Sequence, residues 1–309
     1  MPLTVLTGLA IAGAPMVIVA ALGGSRIGAR VGVLVAVVLL PLPALVAGVA
    51  IPTGFLALVI AASLARAMDF AFGRAPTGFA ARLLYSFAFL AMVDTLLVSR
   101  RKRSFDRRSA TKIIIALVVG GTALTLWSAP ASVAFWIRYL MRSFLGGVVV
   151  LALAEIVTGV VGIVSGVVGV ALPPVHDAPY RSRTVSEFWN RRWNPAAGRW
   201  LRESCFLPLA HRGVPFALVA TFAASAALHA YLIVVADPWA ALSWAGFFLA
   251  QPLLIVLERR LPVRRWPWGA GRAWTMATLT LLVPHVASCL NILAPFFPST
   301  QRFQVILCP

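Results

Sequence analysis

The sequence is short of charge, above all of negative charge. Only 12% of its 309 residues are Asp, Glu, Lys or Arg, and 9 acidic residues stand against 27 basic ones. A soluble globular domain has about 25% charged and about 45–50% apolar residues, whereas here 61% are hydrophobic and the mean hydropathy is +0.91. That balance excludes a soluble domain and predicts an integral membrane protein. It also argues against nucleic acid as a partner, because the net charge of +18 has no polar surface to sit on. The charge is better placed on cytoplasmic loops facing anionic lipid headgroups and phosphorylated substrates. Cysteine is equally scarce: Cys205, Cys289 and Cys308 are an odd, scattered set without C-x-x-C spacing, which indicates neither a disulfide framework nor a metal cage. No D-D-x-x-D-like cluster is present to hold Mg²⁺, so no metal and no bound cofactor are expected.

Long hydrophobic runs are what the chain has instead. A spanning helix needs about 20 mostly apolar residues. Residues 3–22 form the first such segment, read as a retained helix and not a cleaved signal peptide. Residues 31–65 are too long for one crossing and are broken by Pro41, Pro43 and Ile51-Pro52-Thr53-Gly54, so they predict two. Further candidates at 80–98, 113–130, 144–172, 214–235, 239–257 and 274–296 bring the expectation to about eight or nine helices. The reading is all-α and polytopic, one membrane domain over 1–309: N-terminal helices in 1–98, a basic loop at 99–112, a motif loop at 180–212 and C-terminal helices in 213–296. No internal repeat of 20 to 50 residues is visible.

Basic residues concentrate in loops at 100–112, 181–212 and 258–272. The positive-inside rule puts all three in the cytoplasm, and two crossings between each and the next agree with that. Arg66, Arg74 and Arg82 also ask to be inside, which conflicts with a full crossing at 80–98. Arg138–Arg142 reads as an interfacial piece. The Ala-, Val-, Gly- and Arg-rich composition suits a GC-rich bacterium, and so an inner-membrane, multi-pass location.

Four ionisable residues stand nearly alone inside the apolar runs: Asp94, Glu155, His229 and His285. Facing lipid each costs several kcal/mol, so each is expected to face protein or a water-filled cavity. His229 has Ser225 four residues earlier on the same helix face. A buried histidine bonded to Ser225 or a carbonyl competes evenly there with a functional one. For Asp94, Glu155 and His285 the structural reading is favoured, although Glu155 is also a candidate to line a substrate tunnel.

The loop from Tyr180 to Leu209 is polar and rich in aromatics. Thr184 followed by Glu187 is a capping-box pattern, so a helix is expected to start there, supported by an i,i+4 pair of Glu187 with Arg191. Phe188, Trp189 and Trp193 would give it an interface-seeking side. Asn194-Pro195 looks like an N-cap followed by proline at the first position of a second helix. Arg191, Arg192, Arg199 and Arg202 are divided evenly between headgroup anchoring and ligand binding.

The run Ser186-Glu187-Phe188-Trp189-Asn190-Arg191-Arg192-Trp193-Asn194, followed 35 residues after Asn194 by His229 in Ser225-Ala226-Ala227-Leu228-His229, resembles the wax synthase branch of the membrane-bound O-acyltransferase superfamily. In that branch FW-x-RRWN precedes a hydrophobic helix bearing a histidine in an S-x-x-x-H context. The resemblance covers residues 184–233, with Arg66-Ala67-Met68-Asp69 fitting loosely outside them. Ala230 follows the histidine where that branch often has an acidic residue.

The resemblance implies that His229 is the catalytic histidine and Asn194 its partnered asparagine. Phe188, Trp189, Arg191, Arg192 and Trp193 would then shape the mouth of a tunnel; Ser225 and Glu155 are candidate substrate contacts from their own positions in the apolar runs. The resemblance implies transfer of an acyl group from acyl-CoA, or a similar thioester, to the hydroxyl of a hydrophobic alcohol or isoprenoid among membrane lipids. That chemistry needs a base, because an alcohol is a poor nucleophile at a pKa of about 15.7, taking water as guide. A histidine near pKa 6.5 suits the task. Two other readings compete: an isoprenoid cyclase started by a protonated Glu155 or Asp94, and a lipid transporter with its polar residues along a permeation path.

Overall fold

The computed structural model describes residues 3–45, 53–74, 76–90, 99–100, 102–128, 134–234 and 238–282. Among these, five helices are long and apolar enough to cross a membrane: Arg26–Leu45, Arg107–Trp127, Trp136–Val168, Val214–Val234 and Pro238–Arg260, with Gly13–Leu22 and Phe79–Ala88 as shorter apolar stretches. The architecture is all-α and multi-pass. Five candidate crossings thus stand among the described residues where eight or nine are expected; part of 80–98 and of 274–296 lies outside the described residues. The chain folds as two compact units, Met1–Val98 with Leu228–Ala241 and Ser99–Ala227 with Leu242–Pro309.

The first unit contains α1 (Leu3–Leu22), α2 (Arg26–Val38), α3 (Thr53–Ala71) and α4 (Phe79–Leu90). Ser25 starts α2 by accepting the Gly28 amide at 3.0 Å, as an N-cap serine does. The prolines break the next run as expected, leaving a single turn at Leu42–Leu45. Helices meet over Val19, Ala29, Ala67, Phe70 and Tyr85, and a side chain at Gly23 would run into the Phe70 ring, so glycine permits that approach.

The arginines that confuse topology by the positive-inside rule prove to be internal. The buried Asp69 carboxylate accepts from Arg66 at 2.5 Å, Arg74 at 3.2 Å and the Tyr85 hydroxyl at 3.0 Å, while Arg82 Nε donates to the Ala20 carbonyl at 2.7 Å. Here cations are consumed in joining α1, α3 and α4, so they carry little topological information.

The second unit opens with β1 (Ser99–Arg100), followed by α5 (Arg107–Ser128) and α6 (Phe135–Val168). Helix α6 has 34 residues, about 51 Å at 1.5 Å per residue, against a hydrocarbon core of about 30 Å. Arg138–Arg142 forms the first turns of this long helix. Helices α5 and α6 pack through small residues: Gly120 lies against Ala152, Gly159 against Ile113 and Gly162 against Ser109. Outward on α5, Ile114, Ile115, Leu117 and Val118 are 57–64% exposed, a surface that only lipid covers cheaply.

The chain then pairs β2 (Val170–Ala171) antiparallel with β1 and enters the motif segment. This contains a helical turn at Val185–Glu187, a π-helical turn at Phe188–Arg192, α7 (Pro195–Leu201) and a second π-helical turn at Arg202–Phe206. Helices α8 (Val214–Val234), α9 (Pro238–Arg260) and α10 (Trp268–Leu282) follow. Two of the three basic loops expected on one side, 181–212 and 258–272, adjoin one another, and the first, 100–112, lies against the C-terminal end of α6. Ser104 N–H donates to the Gly166 carbonyl at 3.0 Å beside the β1–β2 pair, and Arg183 Nη2 donates to the Trp266 carbonyl at 2.8 Å.

Candidate functional site: the motif segment and its clamps

Local chemistry starts the motif. Thr184 Oγ1 accepts the Glu187 amide at 2.9 Å, so the helix begins where the capping pattern puts it. The reciprocal arm falls one residue early, Glu187 Oε2 accepting the Arg183 amide at 2.9 Å. The expected Glu187–Arg191 pair does not form. Instead Arg192 Nε donates to Glu187 Oε1 at 2.7 Å, because Phe188–Arg192 is wound as a π-turn, closed by the Trp193 amide on the Phe188 carbonyl at 2.8 Å. A wider turn brings residue i+5 round to where i+4 would stand in an α-helix. Burial pulls the Glu187 carboxyl up, yet the Arg183 amide and the Arg192 guanidinium outweigh it and hold its pKa below the usual value.

The aromatic side of the motif faces protein and not the membrane interface. Phe188 is 7% exposed and packs with Phe222, Phe247, Phe248 and Ile255, with Trp189 and Trp193 against the same cluster. Trp189 Nε1 donates at 3.0 Å to Oε1 of the fully buried Gln251, whose Nε2 donates to the Phe247 carbonyl at 2.8 Å. Seven residues further along α9, buried Glu258 accepts the Val185 amide at 2.6 Å, the Ser186 amide at 3.2 Å and Trp274 Nε1 at 2.9 Å. A carboxylate from a distant helix therefore satisfies the orphan amides of the motif's first turn.

Asn194 closes the motif run. It is an N-cap as the sequence suggests: Oδ1 accepts the Ala197 amide at 3.1 Å and Pro195 follows at the first helical position. Its backbone is left-handed, φ 44°, a conformation costing a non-glycine residue about 1–2 kcal/mol and so maintained by surrounding contacts. One of those contacts is His176, whose Nδ1 accepts the Asn194 backbone N–H at 3.2 Å. The His176 ring packs on Trp193, centroids 4.5 Å apart, and Trp193 stacks at 5.4 Å on Phe188. Burial lowers the His176 pKa to about 4, so its imidazole is neutral and Nδ1 keeps its lone pair. Because a backbone amide donates to Oδ1, the Asn194 Nδ2 donors point elsewhere, and among the described residues they have no partner.

The two adjacent arginines divide. Arg192 is tied to Glu187 and to the Asp177 carbonyl at 3.1 Å, whereas Arg191 is exposed. Cys205 is not disulfide-bonded, and burial pushes its thiol pKa up, away from a nucleophilic thiolate.

His229 lies half-buried on α8. In the helical register Phe222, buried Ser225, Ala226 and His229 share one face. His229 belongs to the first unit and the motif to the second. Glu155 is found in the α5–α6 hairpin, 3.5 Å from Lys112 Nζ. Asp94 and His285 fall outside the described residues.

Of the residues singled out from sequence, the structure gathers Phe188, Trp189, Arg192, Trp193 and Asn194 into one packed segment. Sequence reasoning missed three others. Gln251 and Glu258 carried a legible signal, two polar residues two turns apart on an apolar helix. His176 had none beyond being one of 4 histidines.

Comparison with known proteins bears on this same stretch. The chain is 28% identical over 147 residues to a protein of Arabidopsis thaliana named "Probable long-chain-alcohol O-fatty-acyltransferase 2", an alignment covering 43% of this chain and 40% of that relative. The chain thus matches about two-fifths of that relative's length. Residues 172–250, which hold His176, the FWNRRWN run, Asn194 and His229, match the membrane bound O-acyl transferase family.

Proposed function

We propose that this protein is a wax-synthase-like membrane O-acyltransferase, moving an acyl group from acyl-CoA or a similar thioester to the hydroxyl of a hydrophobic alcohol within a bacterial inner membrane. The observation that carries the reading is Asn194: its acceptor oxygen is used in capping α7, and its donor end has no partner among the described residues. A carboxamide held in that way suits a thioester oxygen as negative charge develops on it. Support also comes from the match of residues 172–250 to the acyltransferase family and from the relative's printed description as acting on a long-chain alcohol.

In this reading His229 is the general base. It takes the alcohol proton as the oxygen attacks the thioester carbon. The C–S bond then breaks, and the imidazolium returns its proton to the departing thiolate, so atoms and charge balance. Arg191, exposed beside the motif, is suited to the phosphates of coenzyme A, while Arg192 keeps the motif in shape. Ser225, one turn before His229, would orient the imidazole or the acceptor. Glu155, the acid of the competing cyclase reading, stands 3.5 Å from Lys112 Nζ.

The test is to express wild type and His229→Ala in membranes fed labelled fatty acid and a long-chain alcohol, and to read the labelled ester by mass spectrometry. A general base contributes roughly 10²–10⁴-fold, so ester should fall at least about 100-fold in the variant. Equal ester from both would remove His229 from the reaction, and absence of ester from wild type would remove acyl transfer.

A further inference from the structure

The structure gives Asn194 a neighbour with no role in the chemistry above. His176 lies outside the FWNRRWN run, on the stretch between β2 and the turn at Pro179–Arg181, and is 4% exposed. Its backbone bridges to Trp193, and the following residue, Asp177, donates its amide to the Arg192 carbonyl at 2.9 Å. Its ring covers Trp193, and its Nδ1 takes the Asn194 amide. Every one of these contacts falls on the three residues ending at Asn194.

We propose that His176 is a positioning residue, whose Nδ1 holds the left-handed turn at Asn194 and so sets where the Asn194 carboxamide donors point. The proposal rests on the acyl-transfer reading and deepens it. With Oδ1 committed to the Ala197 amide, the direction of Nδ2 follows from the backbone at Asn194, and among the described residues the backbone N–H is the one Asn194 group held from outside its own helix. Because φ is 44° there, a released peptide would relax towards negative φ, carrying the carboxamide with it. Displacement of a positioned group by about 1 Å can cost about 100-fold in rate.

The experiment compares wild type, His176→Phe and His176→Asn, alone and with Asn194→Ala, in detergent, measuring kcat, KM and thermal midpoint. Phenylalanine keeps the ring against Trp193 and removes the acceptor. Asparagine carries an acceptor oxygen at the place of Nδ1. The expected result is a kcat lower by about 10- to 100-fold in His176→Phe with KM little changed, recovery to within about threefold in His176→Asn, and no further loss from His176→Phe once Asn194 is alanine. If His176→Phe folds and keeps its kcat, or if its loss is undiminished in the Asn194→Ala background, the positioning role is wrong while acyl transfer stands. If His176→Phe fails to fold, His176→Asn decides: a folded His176→Asn protein with kcat reduced as far as Asn194→Ala overturns the proposal. A wild type that makes no ester overturns acyl transfer and this proposal together.

Discussion

The α5–α6 hairpin and the motif segment occupy the same unit and are built on opposite principles. In the hairpin, glycines seat against Ala152, Ile113 and Ser109 and large apolar side chains turn outward; nothing beyond apolarity and small size is asked of most positions. In the motif segment, a short run without a long helix of its own is held by named polar contacts from afar, Gln251 on Trp189 and Glu258 on Val185 and Ser186. Lipid satisfies a helix that closes its own hydrogen bonds, whereas a segment of turns and caps has open amides that other elements must close. The first kind of structure tolerates change residue by residue. The second concentrates its stability in a few side chains, and candidate chemistry sits on the second.

That contrast can be broken most directly at Glu258. Glu258→Ala leaves the buried Val185 amide, the partly buried Ser186 amide and the partly buried Trp274 indole N–H of α10 without this acceptor, and the expected loss is about 3 kcal/mol, read as a lower thermal midpoint in detergent. An unchanged midpoint would mean that the motif holds its shape without α9.

A second effect sharpens the comparison through pH. The folded His176 pKa is about 4, below its usual 6.5, so the unfolded chain binds the extra proton between those values. Stability is therefore full above about pH 6.5, falls as the pH drops towards 4, and levels off below, by about 3 kcal/mol at most. Glu187, held below its ordinary pKa, works in the same direction at the acid end. Thermal midpoints taken from pH 7 to 4 should fall more steeply for wild type than for His176→Asn, and parallel curves would contradict the buried neutral imidazole.

The smallest effect belongs to the hairpin. Ile114→Ala and Val118→Ala, on the outward side of α5, should each shift stability by less than about 0.5 kcal/mol. A loss comparable to that of Glu258→Ala would show that this face is covered by protein and not by lipid.

Much of this organisation was legible beforehand, because its causes are local. Thr184 and Asn194 cap helices, and Pro41 and Pro43 end one, by chemistry confined to neighbouring residues. The pairing of Glu187 with Arg191 was misread because a π-turn and an α-turn cannot be told apart from residue types. The inward turn of Phe188 and Trp189 was misread because an aromatic at a membrane boundary suits headgroups and a protein core equally well. Arg66 and Arg74 look like loop charges until Asp69 is seen between them.

What the sequence alone determined is the kind of protein, an all-α chain with long apolar helices, together with the caps of its motif. Apolarity and capping act over a few residues, and a linear reading captures them. The tertiary structure decided which motif arginine is tied down, that Gln251 and Glu258 clamp the motif, and that a histidine absent from any motif supports Asn194. Those contacts join residues 18, 62 and 73 positions apart, and a buried donor accepts whichever partner the packing brings within about 3 Å, at any distance along the chain.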